Sequence, residues 1–277
     1  MICLFLGNRN LPKLIIKSIK RKKINFFIID LTKRNIFKKF DNSFHIGIGK
    51  FGKILNLIKS KNCKKVIFAG NIEKPKISSL KLDLKGIYYL PRIIKAAKFG
   101  DAAILKELIK ILGENKIKVL KLNKFNPELT LKKGTYSKLK PNLNQKREIN
   151  KGIRYLYSIN SHNHVQAAVI RNNKLISYEK KQGTQSMLSK ISKVKKNNGF
   201  LIKLPKKNQD LRADLPTIGF DTIKECKRIG LKGIVLKNNQ HIILDKKKII
   251  EFSDKNKMIL HVISPTNVSP KINKIEN

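Results

Sequence analysis

Apolar positions within residues 1–125 recur with two alternating periods. Short apolar runs, typical of buried strands, are followed by longer stretches with an apolar residue every three or four positions, typical of amphipathic helices. The predicted strands are "ICLFLG", "NFFIID", "KKVIFAG" and "KIKVLKL", and the predicted helices are "LPKLIIKSIKR", "KFGKILNLIKS" and "DAAILKELIKILGEN", the last with Asp101 as N-cap. Strands that alternate with helices form open, mostly parallel sheets, so residues 1–125 are predicted to be an N-terminal Rossmann-like α/β domain.

The periodicity lapses over residues 126–144, "NPELTLKKGTYSKLKPNLN", which are predicted to be a linker. A second pattern over residues 145–277 predicts a C-terminal α/β domain with a mixed sheet. Its predicted helices are "QKREINKGIRYLYSI", "SMLSKISKVKK" closed by Gly199, and a helix capped by Asp221 that ends at Gly230. Its predicted strands are the two in "VQAAVIRNNKLISYEK", then "FLIKL", "GIVL" and "HIILD".

The chain is strongly basic, with 62 Lys and Arg against 18 Asp and Glu among 277 residues and a formal net charge of +44. Clustered positive charge is typical of proteins that bind nucleic acids or anionic membranes. Here the lysines are spread from end to end together with Ile and Asn, as an AT-rich coding sequence also produces, and aromatic residues are not interleaved with them. A specific nucleic-acid partner is therefore not expected, although a basic nucleic-acid-binding protein stays open as an alternative.

The cysteines and the apolar runs indicate the compartment. Cys3, Cys63 and Cys226 are odd in number and far apart, which matches neither a zinc site nor a disulfide framework and favours a reducing cytoplasm. The apolar run in "MICLFLGNRN" is too short for a signal peptide, and no stretch approaches the roughly 18 apolar residues of a membrane span. We expect a cytoplasmic protein that can still be peripheral to a membrane.

Three carboxylates gather beside one arginine in "NQDLRADLPTIGFDTI", residues 208–223. Asp210 and Asp214 are neighbours both in an extended segment and in one helical turn, and Pro216 disfavours a helix through them. Adjacent carboxylates repel, and Mg²⁺ completed by substrate phosphate oxygens relieves that repulsion. Asp210 and Asp214 are thus candidate metal ligands. Positive charge for an anionic substrate would come from Arg212, Lys203, Lys206 and Lys207.

Each of these segments also has an ordinary structural interpretation. Asp210 and Asp214 can cap turns and pair with lysines. Gly183 and Thr184 can hold a phosphate at a helix start or can form a simple turn and N-cap. The segment "GIGKFGK", residues 47–53, suggests phosphate contact, and "AGNIEKP", residues 69–75, can line the same site. The segment "HNH", residues 162–164, lacks a third metal ligand at a matching spacing.

The chain resembles the UDP-2,3-diacylglucosamine diphosphatase family of the lipid A pathway, LpxI type, chiefly through "KLPKKNQDLRADLPTIGFDTI". Supporting motifs over nearly the whole chain are "LP" at Leu11–Pro12, "GKFGK", "FAGNIEKP", "GD" at Gly100–Asp101 and "GT" at Gly183–Thr184. The resemblance implies two α/β domains that hold an acylated sugar nucleotide between them. It also implies Mg²⁺-dependent hydrolysis of this substrate to UMP and 2,3-diacylglucosamine 1-phosphate (lipid X) at the cytoplasmic face of the inner membrane. Whether the protein is a homodimer stays open.

The resemblance also assigns roles by position. Asp214 first and Asp210 second would be metal ligands, and both would be catalytic together with Arg212. The substrate-binding positions would be Lys203, Lys206, Gln209, Gly183, Thr184, Thr217, Lys50, Lys53, Gly70 and Asp101. Acidic residues of the family pattern are replaced by Gln182, Gln185, Ala102 and Asn163. A catalytically impaired homologue that still binds the sugar nucleotide is therefore a second alternative.

Overall fold

The structure, a computed structural model, describes residues 1–73, 77–159, 165–180, 182–195, 197–206 and 209–264. By its internal contacts the chain forms two units. The first contains Met1–Asn126 together with Asp210–Asp214, and the second contains Pro127–Gln209 and the chain from Leu215 onward. Five residues of the acidic loop thus belong to the N-terminal unit, although the segments on either side of them belong to the second.

The first unit is an α/β fold with a parallel sheet. Its elements are β1 (Ile2–Leu6), α1 (Leu11–Arg21), β2 (Phe26–Asp30), β3 (Ser43–His45), α2 (Phe51–Ser60), β4 (Lys65–Ala69), α3 (Leu84–Ala97), α4 (Asp101–Glu114), β5 (Lys118–Val119) and α5 (Leu122–Phe125). The strand order is β3-β2-β1-β4-β5, the Rossmann arrangement. Every residue of β1 is buried, as a central strand covered on both faces requires. The predicted Rossmann-like fold is confirmed.

Two helices of the first unit differ from the prediction. Asp101 is the first residue of α4, and the N-cap is Gly100, whose φ of 92° is unfavourable for other residues. Helix α3 was not assigned from the periodicity. It contains Pro91, which cannot donate to the carbonyl one turn earlier and which lies on the exposed side of the helix. The N-cap of α3 is Asp83, whose side chain accepts a bond from Gly86.

The second unit has a mixed sheet, as predicted. Its elements are β6 (Gly134–Thr135), α6 (Leu143–Ile159), β7 (Ala167–Arg171), β8 (Lys174–Tyr178), α7 (Gly183–Ser189), β9 (Phe200–Lys203), β10 (Thr217–Ile218), α8 (Phe220–Arg228), β11 (Gly233–Lys237), β12 (Ile242–Ile243), α9 (Lys246–Lys255) and β13 (Ile259–Ile263). The strand order is β6-β13-β11-β9-β7-β8, with β13, β11 and β9 parallel and the outer strands antiparallel. Strands β10 and β12 form a separate parallel pair.

Helix ends in the second unit depart from the predicted ones. Helix α7 ends at Ser189, so Gly199 does not close it. Asp221 is not the N-cap of α8, because Gly219 occupies that position and the Asp221 carboxylate pairs with Lys224 at 2.6 Å. Short-range patterns locate a helix well but not its first residue, since any polar residue in the first turn satisfies the same preference. No helix among the described residues is long and apolar enough to cross a bilayer.

Of the stretch predicted as a linker, residues 126–144, all but the first residue belong to the second unit. Thr135 pairs with His261 as an edge strand, and Leu131 is buried in the core. His241, itself fully buried, accepts a hydrogen bond from the backbone N–H of Leu131 at Nε2 and contacts the carbonyl of Lys237 through Nδ1. The contacts of Leu131 with His241 and of Thr135 with His261 each join residues more than a hundred positions apart, so no local sequence pattern predicts them.

The stability of the second unit is expected to fall between pH 6.5 and 4. Burial lowers the pKa of His241 to about 4 from 6.5, so the unfolded chain binds this proton at a higher pH than the folded chain does. The depressed pKa therefore costs about 3 kcal/mol of unfolding free energy once the pH is below both values. Urea unfolding across this range measures the loss. The His241→Gln protein should be less stable at neutral pH but should show a flatter profile. An unchanged slope in that variant would contradict the assignment.

Candidate functional site

The acidic loop forms a single helical turn in the first unit. Contrary to the expectation from Pro216, a helical turn runs through the acidic pair: the backbone N–H of Asp214 donates to the carbonyl of Asp210 at 3.0 Å. The turn ends before Leu215, which is the residue that Pro216 restricts. Ala213 packs against the hydrophobic core of this unit. The carbonyl of Arg212 accepts the N–H of Leu122 at 3.2 Å. A backbone bond and an apolar anchor therefore hold the turn against the N-terminal fold.

Arg212 and Asp210 form a bidentate ion pair. Arg212 Nε lies 2.9 Å from Asp210 Oδ1, and its Nη2 lies 2.6 Å from Oδ2. The backbone N–H of Arg212 also donates to Oδ1 at 3.0 Å. Burial raises the pKa of Asp210, but the bonds from Arg212 and the charge of Lys106 outweigh it, so the pKa lies below its ordinary value. Asp210 is therefore ionised and holds the guanidinium in one orientation, with the Arg212 side chain 43% exposed.

The two carboxylates of this turn are not equivalent as ligands for a magnesium ion. Both oxygens of Asp210 are engaged by Arg212, so Asp210 would have to release a bond to become a ligand. Asp214 is the other carboxylate of the turn. Mg²⁺ commonly takes only one or two protein carboxylates and completes its shell with water and substrate phosphates. The described residues contain no group of three or more His, Cys, Asp or Glu placed for a metal, so substrate oxygens would have to complete the site.

The lysines of "GKFGK" lie at the start of α2, where two backbone N–H groups are already bonded to a side chain. Asp83 accepts bonds from the N–H groups of Gly52, Lys53 and Gly86, and thereby caps α2 and α3 together. Burial raises the pKa of Asp83, but these three bonds outweigh it and the pKa lies below its ordinary value. The ammonium of Lys50 donates to a backbone carbonyl. The N–H groups of Gly52 and Lys53 are thus already occupied, and a phosphate could bind them only by displacing Asp83.

Gly70 follows β4 at the carboxyl edge of the sheet, and its backbone explains the glycine. Its φ is 93°, and a Cβ there would lie 2.7 Å from both the carbonyl oxygen of Asn8 and the ring of Pro12. Asn8 and Asn71 exchange backbone hydrogen bonds beside it. This bridge joins the ends of β1 and β4, where the strand order reverses and where ligands bind in such sheets. Asp101, at the start of α4, is exposed.

A buried polar chain lies at the end of β9 in the second unit. Lys203 donates from Nζ to the hydroxyl of Thr184, and that hydroxyl donates to Glu179 Oε1 at 2.9 Å. All three residues are less than a tenth exposed. Glu179 thus orients Thr184, and Thr184 contacts the ammonium. The sequence analysis identified Lys203 and Thr184 as separate candidates, and the structure brings them together through a carboxylate that it missed.

Further buried polar atoms lie at the same edge of this sheet. Ala167, at the start of β7, pairs with Lys203, and Ala168 pairs with Tyr178 at the end of β8, so Gln166 and Glu179 lie at the end of β9. Gln209 lies in the loop after β9, bonded to Lys206. Gln166 Oε1, Glu179 Oε2 and Gln209 Nε2 are buried and have no hydrogen-bond partner among the described residues. Unsatisfied buried polar atoms are costly, and convergent ones are typical of a ligand site.

The remaining predicted residues of the second unit have local roles. The carbonyl of Lys206 accepts the N–H of Gln209, and Gln209 Oε1 accepts the N–H of Lys206, which closes the loop after β9. The hydroxyl of Thr217 donates to the carbonyl of Leu215. Gly183 has a φ of 87°, and its N–H donates to a carbonyl three residues earlier, so α7 does not offer that group to a phosphate.

Gln182 and Gln185, which replace acidic residues of the family pattern, are exposed at the start of α7. Thr184, which lies between them in the sequence, is buried and contacts Lys203. Lys207 and the segment 162–164, with its two histidines and Asn163, lie outside the described residues. Ala102 lies in the first turn of α4.

Sequence reasoning missed Asp83, Glu179 and Lys106. Asp83 and Glu179 are acidic residues in a chain that has few, and that scarcity was the available signal for them. Lys106 acts on Asp210 from α4, a hundred positions away, and one lysine among many carries no signal.

Comparison with known proteins covers both units. A family model described as the LpxI N-terminal domain matches residues 1–129, and one described as the LpxI C-terminal domain matches residues 132–261. A protein of Caulobacter vibrioides named UDP-2,3-diacylglucosamine pyrophosphatase LpxI is 31% identical over 217 residues, which are 76% of this chain and 78% of that protein. The similarity extends over both units and includes the acidic turn between residues 210 and 214. The chain therefore belongs to the LpxI family.

Proposed function

We propose that this protein hydrolyses the diphosphate of UDP-2,3-diacylglucosamine and releases UMP and 2,3-diacylglucosamine 1-phosphate, with Mg²⁺ as cofactor. The proposal is supported by membership of the LpxI family and by the name of the Caulobacter vibrioides relative. The single observation that carries it in the structure is the turn of residues 210–214. It combines an oriented guanidinium with two carboxylates in a chain that is otherwise basic.

Arg212 is the proposed stabiliser of charge on the diphosphate. A guanidinium that is already oriented by a bidentate carboxylate loses little freedom when phosphate oxygens bind, so it can stabilise developing charge without reorganisation. Asp210 positions Arg212 in this proposal. The reaction is in-line attack of water on phosphorus, for which charge stabilisation and alignment supply most of the rate enhancement.

Asp214 is the proposed protein ligand of Mg²⁺, and Asp210 is the second candidate. When bound, the cation would act as a Lewis acid that neutralises charge on the diphosphate oxygens. Substrate oxygens and water would complete its coordination, as is common for magnesium. In this assignment Asp214 binds the cation and Asp210 orients Arg212.

Lys203, Thr184 and Glu179 are proposed to bind the polar part of the substrate in the second unit. An anion at the end of β9 would meet the buried ammonium of Lys203, and hydroxyls or amides of the ligand would satisfy Gln166 and Gln209. Lys50, Lys53, Gly70, Asp101, Lys206 and Thr217 stay proposed substrate contacts. A substrate with two acyl chains would bring the protein to the cytoplasmic face of the inner membrane as a peripheral enzyme.

The experiment is UMP release from UDP-2,3-diacylglucosamine by the purified full chain. We expect turnover with Mg²⁺ and a loss of at least about a hundredfold when a chelator removes the cation, because charge on the diphosphate would lose its main counterion. Activity should return when excess Mg²⁺ is added. Turnover that is unaffected by chelator would contradict the magnesium assignment.

A well-folded protein without turnover would contradict the proposed hydrolysis. Equilibrium binding of the same substrate then identifies the alternative. Binding without UMP release in saturating Mg²⁺ would indicate a catalytically impaired homologue, with Gln182, Gln185 and Ala102 as the positions to restore to acidic residues.

A further inference from the structure

Helix α3 presents a row of apolar side chains to solvent. Leu84, Ile87, Tyr88, Pro91 and Ile94 are exposed and recur every three or four positions, so they form one face of the helix about 15 Å long, here called the α3 stripe. Leu84 is 86% exposed and Tyr88 is 73% exposed. The opposite face of α3, with Tyr89 and Ile93, packs against the core of the first unit. The helix therefore packs on the core through the face opposite the α3 stripe, and the stripe itself is not part of the core.

Lysines lie beside the α3 stripe and at both of its ends. Lys81, Lys85, Lys95 and Lys98 are all exposed, and α3 contains no Asp or Glu. Phe99, 67% exposed, extends the apolar surface beyond the last turn. An apolar row bordered by lysines is the pattern of a helix that lies in the interface of an anionic membrane.

The acidic groups near this helix are bonded to other groups. The carboxylate of Asp83 accepts three backbone N–H bonds at the start of α3. Arg92 pairs with Glu107 and with Glu114 at 2.7 Å, on the flank that faces α4. The charge beside the α3 stripe is therefore mainly that of the lysines, which complements an anionic leaflet.

The shape of the α3 stripe favours a flat partner over a small ligand. Small-molecule sites enclose roughly 70–90% of their ligand, whereas the described residues leave most of the Leu84, Tyr88 and Phe99 side chains uncovered. A bilayer surface needs no enclosure, because acyl chains and headgroups surround an inserted helix face by themselves.

We propose that the α3 stripe is the surface through which this protein docks on an anionic phospholipid bilayer. Leu84, Ile87 and Tyr88 enter the headgroup region, and Lys85 and Lys95 contact lipid phosphates. The inference rests on the proposed function in that an acylated substrate gives the protein a reason to visit the bilayer, but the docking itself is independent of turnover.

The test measures co-sedimentation of the full chain with vesicles of phosphatidylcholine, with and without phosphatidylglycerol. The parent should bind the anionic vesicles. The Leu84→Glu/Tyr88→Glu protein should bind them at least about tenfold more weakly, because it loses apolar insertion and adds repulsion. The Lys85→Gln/Lys95→Gln protein should lose about fivefold per lysine on anionic vesicles and nothing on phosphatidylcholine alone.

The matched control is Leu143→Glu/Ile176→Glu, which removes two exposed apolar residues of the second unit and changes the net charge equally. Leu143, like Leu84, is the first residue of a helix. Its vesicle binding should stay within about twofold of the parent, since screening confines the effect of remote charges. Equal losses in the control and stripe variants would overturn the proposal, as would a stripe variant that binds like the parent.

Two further readouts separate other occupants of this face. UMP release from detergent-solubilised substrate should be unchanged in the stripe variant, and a fall in parallel with vesicle binding would mean that the face binds substrate acyl chains instead. Light scattering should give the same mass for parent and variant. A dimeric parent and a monomeric variant would assign the face to a second copy of the chain. Absent UMP release with intact vesicle binding through the stripe would refute the proposed hydrolysis and leave the docking surface standing.

Discussion

Asp214→Ala is expected to reduce UMP release from UDP-2,3-diacylglucosamine by at least about a thousandfold. In the proposed function this carboxylate holds the cation against the diphosphate, and an alanine leaves substrate charge without its counterion. The turn should still form, because its closing bond uses the backbone N–H of residue 214 and the apolar contact comes from Ala213. The thermal unfolding midpoint should therefore stay close to that of the parent.

The control for this change is Asp221→Ala. Asp221 lies in the same segment, carries the same charge and is 81% exposed in an ion pair with Lys224. Exposed ion pairs contribute little to stability, so this variant should retain turnover and fold. An Asp214→Ala protein that turns over like the parent would remove Asp214 from the mechanism. Equal losses in both variants would point to the net charge of the segment and not to a specific ligand.

The second large effect concerns Arg212. Arg212→Lys should lower turnover about a hundredfold, because a lysine keeps the charge but loses the planar fork that Asp210 orients. Asp210→Asn should lower turnover about tenfold or more, since one acceptor oxygen is lost. If Asp210 acts through Arg212, the double variant should be about as impaired as Arg212→Lys alone, because neighbouring residues in one interaction are not additive.

The dependence on Mg²⁺ separates positioning from metal binding. If Asp210 only positions Arg212, Asp210→Asn should leave the half-saturating Mg²⁺ concentration within about twofold of the parent's. If Asp210 is instead a metal ligand, Asp210→Asn should raise the half-saturating Mg²⁺ concentration about tenfold or more. The losses of turnover in Asp210→Asn and Arg212→Lys should then multiply in the double variant. Arg228→Lys is the matched control, because Arg228 also pairs with a carboxylate, Glu225, at 2.8 Å and takes no part in the proposed reaction.

The elements of the fold were predictable where local pattern and tertiary environment agree. The runs that became β1, β2, β4 and β9 are apolar except for a charged residue at one end of β2, β4 and β9, because both faces of a central strand are covered. The turn between β7 and β8 was also predicted, and Asn172 and Asn173 there have φ values of 51° and 60°. Helix α3 was not assigned, since its exposed face is apolar and it contains Pro91, so it departs from the amphipathic pattern.

The candidate site was likewise predictable from the sequence only in part. The acidic loop with Asp210, Arg212 and Asp214 was identified from its composition in a basic chain. Its helical turn was not expected, because Pro216 disfavours a helix nearby, but proline restricts only the residue before it, Leu215. That Arg212 occupies both oxygens of Asp210 was not visible, because the pattern shows which charges are near but not which pair forms. Glu179 escaped notice because its contact with Thr184 depends on the end of β8 lying beside α7.

The sequence by itself determined the α/β character of both units, most of their central strands, the family and the segment that carries the candidate chemistry. These properties follow from hydrophobic period and from residue types at short spacing, which a chain displays before it folds. Only the tertiary structure decided that residues 210–214 belong with the N-terminal unit, that Asp83 caps two helices, that Lys203 meets Glu179 through Thr184, and that the α3 stripe faces solvent. Each of these depends on contacts between residues that are distant in the sequence, and the packing of the whole unit decides which of those contacts form.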